Sequence, residues 1–182
     1  MPRLMISTDA ASSHRGVDKH SGWAVKILKR PALWYDHRMQ VLAVLFGSLV
    51  LYRAVGAAGV SLFSGWIVSA RFALATMFVV TAASHFAPMK RDFIAMVPPG
   101  LPRPDLLVFV TGVLELAGAA GLLFEGTRFW AAYGLILLMA AMLPANVSAA
   151  RRGIEIRGRR ATPLWLRVPM QALFIVWAWY VR

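Results

Sequence analysis

Residues 105–123 read DLLVFVTGVLELAGAAGLL, and the one to explain is Glu115, set near the middle of an otherwise apolar or small-residue run. A bilayer-spanning helix needs about 20 predominantly apolar residues, and this run is long enough. An ionised carboxylate at that depth is costly and ordinarily faces a bundle interior, a cavity or a partner group. Thr111, Gly112, Gly118 and Ala119 lie three or four positions from Glu115, hence on its side of a helix. Small residues there let a second helix approach closely. The spacing therefore predicts a glutamate pointing into a membrane bundle. Two roles stay open for it: a neutral or Arg53- or Arg71-paired group that fixes packing, and a group that contacts a ligand or relays a proton.

Further apolar blocks flank this one at 41–63, 67–87, 129–149 and 164–181, giving an all-α, polytopic transmembrane helix bundle of five spans. Arg53 interrupts the first block and Arg71 opens the second. Pro163 is placed to start the last, while Pro144 and Pro169 should kink their helices. The chain of 182 residues is 59% hydrophobic and 15% charged, with mean hydropathy +0.61. A soluble domain would be about 45–50% apolar and about 25% charged. With no cysteine, this chain supplies no disulfide, thiolate metal ligand or iron–sulfur ligand.

The net charge of +12 comes from 20 Lys/Arg against 8 Asp/Glu, and the bases lie between the apolar blocks. Membrane topology and anionic headgroups explain that better than nucleic acid, which is not expected as a partner. A cytoplasmic N-terminus places the tail bases, Lys90, Arg91 and Arg103, and Arg151, Arg152, Arg157, Arg159 and Arg160 on one side. The other side receives little besides Arg128 and Arg182. That bias predicts N-terminus in and C-terminus out, periplasmic or extracellular. Residues 1–38 form a basic cytoplasmic tail, predicted disordered over 1–20. Over 21–38, Trp23, Trp34 and Tyr35 alternate with Lys26, Lys29 and Arg30, as in an interfacial segment; a plain solvated linker is the alternative. Residues 39–66 form an additional N-terminal span, and 67–182 the remaining four.

Counting along the spans brings three polar residues toward one end. His85 closes the second span and Asn146 lies near the end of the fourth, both at the cytoplasmic side. Glu115 sits about 15 Å below it at 1.5 Å per residue. The expected site is a cavity around Glu115, with His85 and Asn146 at its mouth and Thr111 and Arg53 as further ligand-binding candidates. Glu115 and His85 are the candidates for proton exchange. No metal set is expected: His14, His20 and His37 lie in the tail without ligand spacing, and His85 has no neighbouring histidine.

Four segments carry a family resemblance: Ser84-His85-Phe86; the proline-rich connection Met96-Val97-Pro98-Pro99 with Leu101-Pro102 and Pro104; 111–123, TGVLELAGAAGLL; and Leu143-Pro144-Ala145-Asn146-Val147. In this order and spacing, residues 67–182 resemble the DoxX-like family of small bacterial integral membrane proteins. The resemblance implies a four-helix DoxX-like core, to which 39–66 is an addition, in a bacterial inner membrane. It implies an accessory subunit of a quinone-linked membrane redox system, or a binder of a lipophilic molecule, with quinone or lipid as ligand and a redox protein or membrane complex as partner. Glu115, His85 and Asn146 match the family's polar pattern. With no cysteine and no intrinsic cofactor, the isolated chain is not expected to be an electron-transfer enzyme. The alternatives are a small-molecule isomerase or oxidoreductase using Glu115 as acid/base, and a purely structural assembly protein.

Overall fold

A computed structural model describes residues 37–156, 159–160 and 162–182; the expectations for the tail and for Arg157 fall outside them. Among the described residues the chain is all-α apart from one short hairpin. The helices there are α1 (His37–Ala57), α2 (Trp66–Phe86), α3 (Lys90–Met96), α4 (Pro104–Leu123), α5 (Arg128–Arg152) and α6 (Leu164–Val181). All except α3 are long and apolar enough to cross a membrane, as expected of a multi-pass membrane protein. Their outward surfaces agree: Val50, Leu137 and Val176 are all more than 60% exposed, which suits contact with lipid.

α2, α4, α5 and α6 touch in a closed sequence, and α1 packs on α2 from outside. Neighbours run in opposite senses, as the pairs Thr81–Glu115 and Phe86–Phe109 show for α2 and α4. Leu74, Met77, Leu122, Leu135 and Val181 are fully buried where these helices meet. Glycines set the spacing of α4. A Cβ at Gly118 would lie 2.5 Å from Leu135 of α5, and one at Gly112 would lie 2.7 Å from the His85 Cβ of α2. Gly112 thus lets α2 approach α4 at backbone range, and Gly118 leaves room for the Leu135 side chain of α5.

Three features depart from the sequence reading. The first span stops at Ala57 and does not continue to Phe63, which belongs to a separate 3₁₀ turn, Ser61–Phe63. The chain folds back so tightly that a Cβ at Gly56 would meet the Phe63 carbonyl oxygen, and Gly59 takes φ +106°. Phe63 then stacks on Tyr52 with ring centroids 4.8 Å apart. Secondly, the connection after α2 is not simply a loop, because it contains α3. Met96 of α3 is buried, and Arg152 at the end of α5 donates from Nη2 to the carbonyls of Ala95, Met96 and Val97 at 2.7, 3.0 and 2.9 Å. Those carbonyls end a helix and have no partner within it. Thirdly, α5 runs on to Arg152, is capped by Gly153 at φ +64°, and leads to a hairpin pairing Glu155–Ile156 with Arg159–Arg160.

Replacing Arg152 with Met keeps much of the side-chain volume and removes the cap. Amide hydrogen exchange in Lys90–Met96 should then rise about tenfold while the spans keep their protection, because one charged hydrogen-bonding group is lost. Unchanged exchange in that helix would show that Arg152 does not hold it.

Candidate functional site

On α4, the buried positions are Val108, Gly112, Glu115, Ala119 and Leu122, spaced by three and four. That is one helical stripe, and Glu115 is its polar member, 3% exposed. A helical side chain leans toward the N-terminus of its own helix. Glu115 therefore reaches back toward the end where α4 starts and α2 stops. There it meets Thr81, whose hydroxyl lies 2.8 Å from Glu115 Oε2. His85 is one turn further along α2, also buried, with Nδ1 at 3.9 Å from the same carboxyl oxygen.

The hydrogen inventory of this trio is tight. His85 Nδ1 lies 3.0 Å from the Thr81 carbonyl, which can only accept, so Nδ1 carries the hydrogen and a neutral ring keeps its lone pair on Nε2. The Thr81 hydroxyl has one hydrogen but two acceptors in reach, the Phe78 carbonyl at 3.1 Å and Glu115 Oε2. With Glu115 ionised, the hydroxyl serves one of them. With Glu115 carrying a proton, the carboxyl donates to Thr81 and Thr81 donates to Phe78, so both contacts are made. The seam thus has a hydrogen-bonding pattern for either state of the carboxyl.

Aromatic rings lie beside the seam. Phe93 of α3 lies 4.6 Å from the His85 ring, and Phe86 meets Phe109 edge-on at 5.6 Å. Phe93 comes from the helix that Arg152 caps, so α3 covers the imidazole from the membrane-surface side.

The other expected members are elsewhere. Thr111 donates to the Leu107 carbonyl of its own helix at 2.8 Å. Asn146 belongs to the α5–α6 seam, where it accepts from Arg167 Nη1 at 2.7 Å and donates to Gln171 Oε1 at 3.3 Å. Gln171 donates in turn to the Met139 carbonyl, in the turn before Pro144. Arg53 is at the opposite end of the bundle and donates to the carbonyls of Phe63 and Ser64 at 2.8 and 2.6 Å. Arg71 donates from Nε to the Val181 carbonyl at 3.1 Å. Neither arginine reaches Glu115. Glu115 and His85 are both buried where α2 and α4 meet. An apolar groove of about 290 Å³ lies between α1, α2 and α6, lined by Leu49, Trp66, Ala70, Val176, Trp177 and Tyr180, among others.

Thr81, Arg167 and Gln171 were not among the candidates. Each carries a sequence signal: Thr81 precedes His85 by four residues, and Arg167 and Gln171 are four apart around Pro169 in an apolar span. Among the described residues, no three His, Asp or Glu side chains converge as a metal requires.

The family described as "Domain of unknown function (DUF8561)" matches residues 74–182, more than half of the chain. The matched region contains Thr81, His85, Glu115 and Asn146 and leaves out α1. No curated protein and no solved structure matches.

A double-mutant cycle of Thr81→Val and Glu115→Leu tests the seam. Thermal unfolding in detergent should give a coupling on the order of 1 kcal/mol, the upper range for hydrogen bonds between membrane helices. Additive losses would mean that the Thr81–Glu115 bond does not tie α2 to α4.

Proposed function

The chain belongs to the DUF8561 family, and from its α2–α4 seam we propose that it binds the polar head of a lipophilic molecule, a quinone by class, as an accessory subunit of a membrane redox system. One observation carries this reading: a carboxyl buried in a span, hydrogen-bonded to Thr81 and 3.9 Å from an imidazole. A carboxyl and an imidazole side by side in a span are groups suited to exchanging protons with a bound ligand, and intramembrane acids of this kind mark proton and substrate pathways. The resemblance of residues 67–182 to DoxX-like proteins supports the same class of ligand.

A quinone takes up electrons and protons together when it is reduced. The residues here are suited to the protons. Glu115 offers or receives a proton at Oε2, His85 presents an imidazole beside it, and Thr81 keeps the carboxyl oriented in either state. Phe93, packed against the His85 ring, provides a flat apolar wall of the kind an aromatic head group requires. With no cysteine for a thiol relay or an iron–sulfur cluster, this chain leaves the electrons to a partner redox protein. The head group reaches Glu115 past Phe93, which makes α3 the element that admits it. With the N-terminus cytoplasmic in a bacterial inner membrane, His85 and α3 lie at the cytoplasmic surface, where a soluble partner docks.

Binding of a short-chain quinone to the purified full-length chain, followed by quenching of tryptophan fluorescence, tests the proposal. Glu115→Gln retains the shape and a hydrogen-bonding amide but has no acidic proton. It should weaken binding about tenfold, the loss of one charge-assisted or acidic hydrogen bond. Binding that is absent in the parent chain, or unaltered in Glu115→Gln, would leave the glutamate as a packing group in an assembly protein.

A further inference from the structure

The groove between α1, α2 and α6 lies at the other end of the bundle from Glu115, and its walls and rim have different chemistry. The α6 wall runs from Leu173 to Tyr180, roughly 10 Å along the helix at 1.5 Å per residue. Phe46 of α1 meets Trp177 of this wall edge-on at 5.5 Å. The Trp177 N–H, a polar atom in that wall, already donates to the Ala70 carbonyl at 3.0 Å. What remains is an apolar slot open sideways, since Val176 and Tyr180 are 63% and 58% exposed.

The rim is cationic. The Arg53 guanidinium lies over the Trp66 ring at 4.5 Å, and Trp66 lines the slot. Nη1 of Arg53 is engaged by the Phe63 and Ser64 carbonyls. Among the described residues no carboxylate pairs with it, so its charge is met by backbone dipoles and a ring face alone. Arg53 is four residues from the end of α1, roughly 6 Å in from it, which places the guanidinium within reach of the headgroup layer. Trp66 and Tyr180 at the same end are the residue types that settle at that layer.

We propose that this groove is a binding site for one anionic phospholipid, an acyl chain lying against Leu49, Ala70, Val176 and Trp177 and the phosphate on Arg53. The apolar slot and a cation with no carboxylate partner among the described residues are arranged in the order that tail and headgroup require. The site shares α2 with the Glu115 seam but none of its side chains, so it stands or falls apart from the quinone reading. α1, which supplies Leu49 and Arg53, also lies outside the family match.

The test uses the purified full-length chain in detergent micelles holding equal amounts of phosphatidylglycerol and phosphatidylcholine with identical acyl chains, read by native mass spectrometry. The parent chain should retain one phosphatidylglycerol, with about tenfold preference over phosphatidylcholine. Arg53→Gln should abolish the preference, and Arg53→Lys should keep it, since an ammonium also binds phosphate. Val176→Trp fills the slot from a lipid-facing position and should remove retention of both lipids with no change in the far-UV circular dichroism. Equal retention of the two lipids by the parent chain would overturn the proposal. So would undiminished retention in Val176→Trp, or a lipid-free dimer that Val176→Trp dissociates, which would make a second copy the occupant. If Arg53→Gln does not fold, Arg53→Lys and Val176→Trp still decide the matter.

Discussion

A carboxyl group placed halfway across an apolar helix has to find its hydrogen-bonding partner within the protein, because hydrocarbon offers none. That requirement organises the α2–α4 seam. The Thr81 hydroxyl supplies the partner, but only if the helices are close, and they are close because Gly112 has no Cβ to strike His85 and Phe86. The close approach in turn buries the imidazole beside the carboxyl. Small residues, acid, hydroxyl and histidine are therefore one device. Removing any member changes the surroundings of the others.

A second constraint follows from the imbalance of 20 Lys/Arg over 8 Asp/Glu. There are too few acids to pair the bases, and the structure uses backbone carbonyls instead. Arg53 takes those of Phe63 and Ser64, Arg71 that of Val181, and Arg152 those at the end of α3. Helix ends and turns leave carbonyls unbonded and carry partial negative charge, so a guanidinium there answers both needs. The arginines thus tie connections to spans. Arg53 differs from Arg152 in having an apolar groove beside it, and that difference is what makes it a ligand candidate and Arg152 a structural cap.

Position along each helix could be read from the sequence, whereas direction around the bundle could not. Counting residues along the spans placed His85 and Asn146 at one end and Glu115 near the middle, and α6 begins and ends where periodicity set it, at Leu164 and Val181. The burial of Glu115 followed from its small-residue neighbours. Which seam each polar side chain enters depends on which helices are adjacent, and no count along one helix reports that. His85 and Asn146, counted to one level from the sequence, serve different seams, α2–α4 and α5–α6. Arg53 went astray for a related reason. Its partners are carbonyls of a turn that forms only because Gly56 and Gly59 allow the chain to double back. The helix α3 was hidden because Pro88, Pro98 and Pro99 dominate a stretch whose seven intervening helical residues are too few for a periodic signal.

The two candidate sites share one helix. α2 carries Thr81 and His85 toward one end and Trp66 and Ala70 at the other, and it is the most deeply buried of the spans. Its position between α1, α4 and α6 means that it cannot tilt without changing contacts on three sides. A lipid seated between α1, α2 and α6 would favour the arrangement in which Trp177 bonds to Ala70 and Arg53 lies on Trp66. The same α2 placement brings Thr81 to Glu115. An occupant of the groove that binds this arrangement better than any other stabilises the seam by that difference in affinity and by no more than that. The rigid middle of α2, with Leu74 and Met77 wholly enclosed, gives the two ends a common reference frame without requiring that either ligand touch the other.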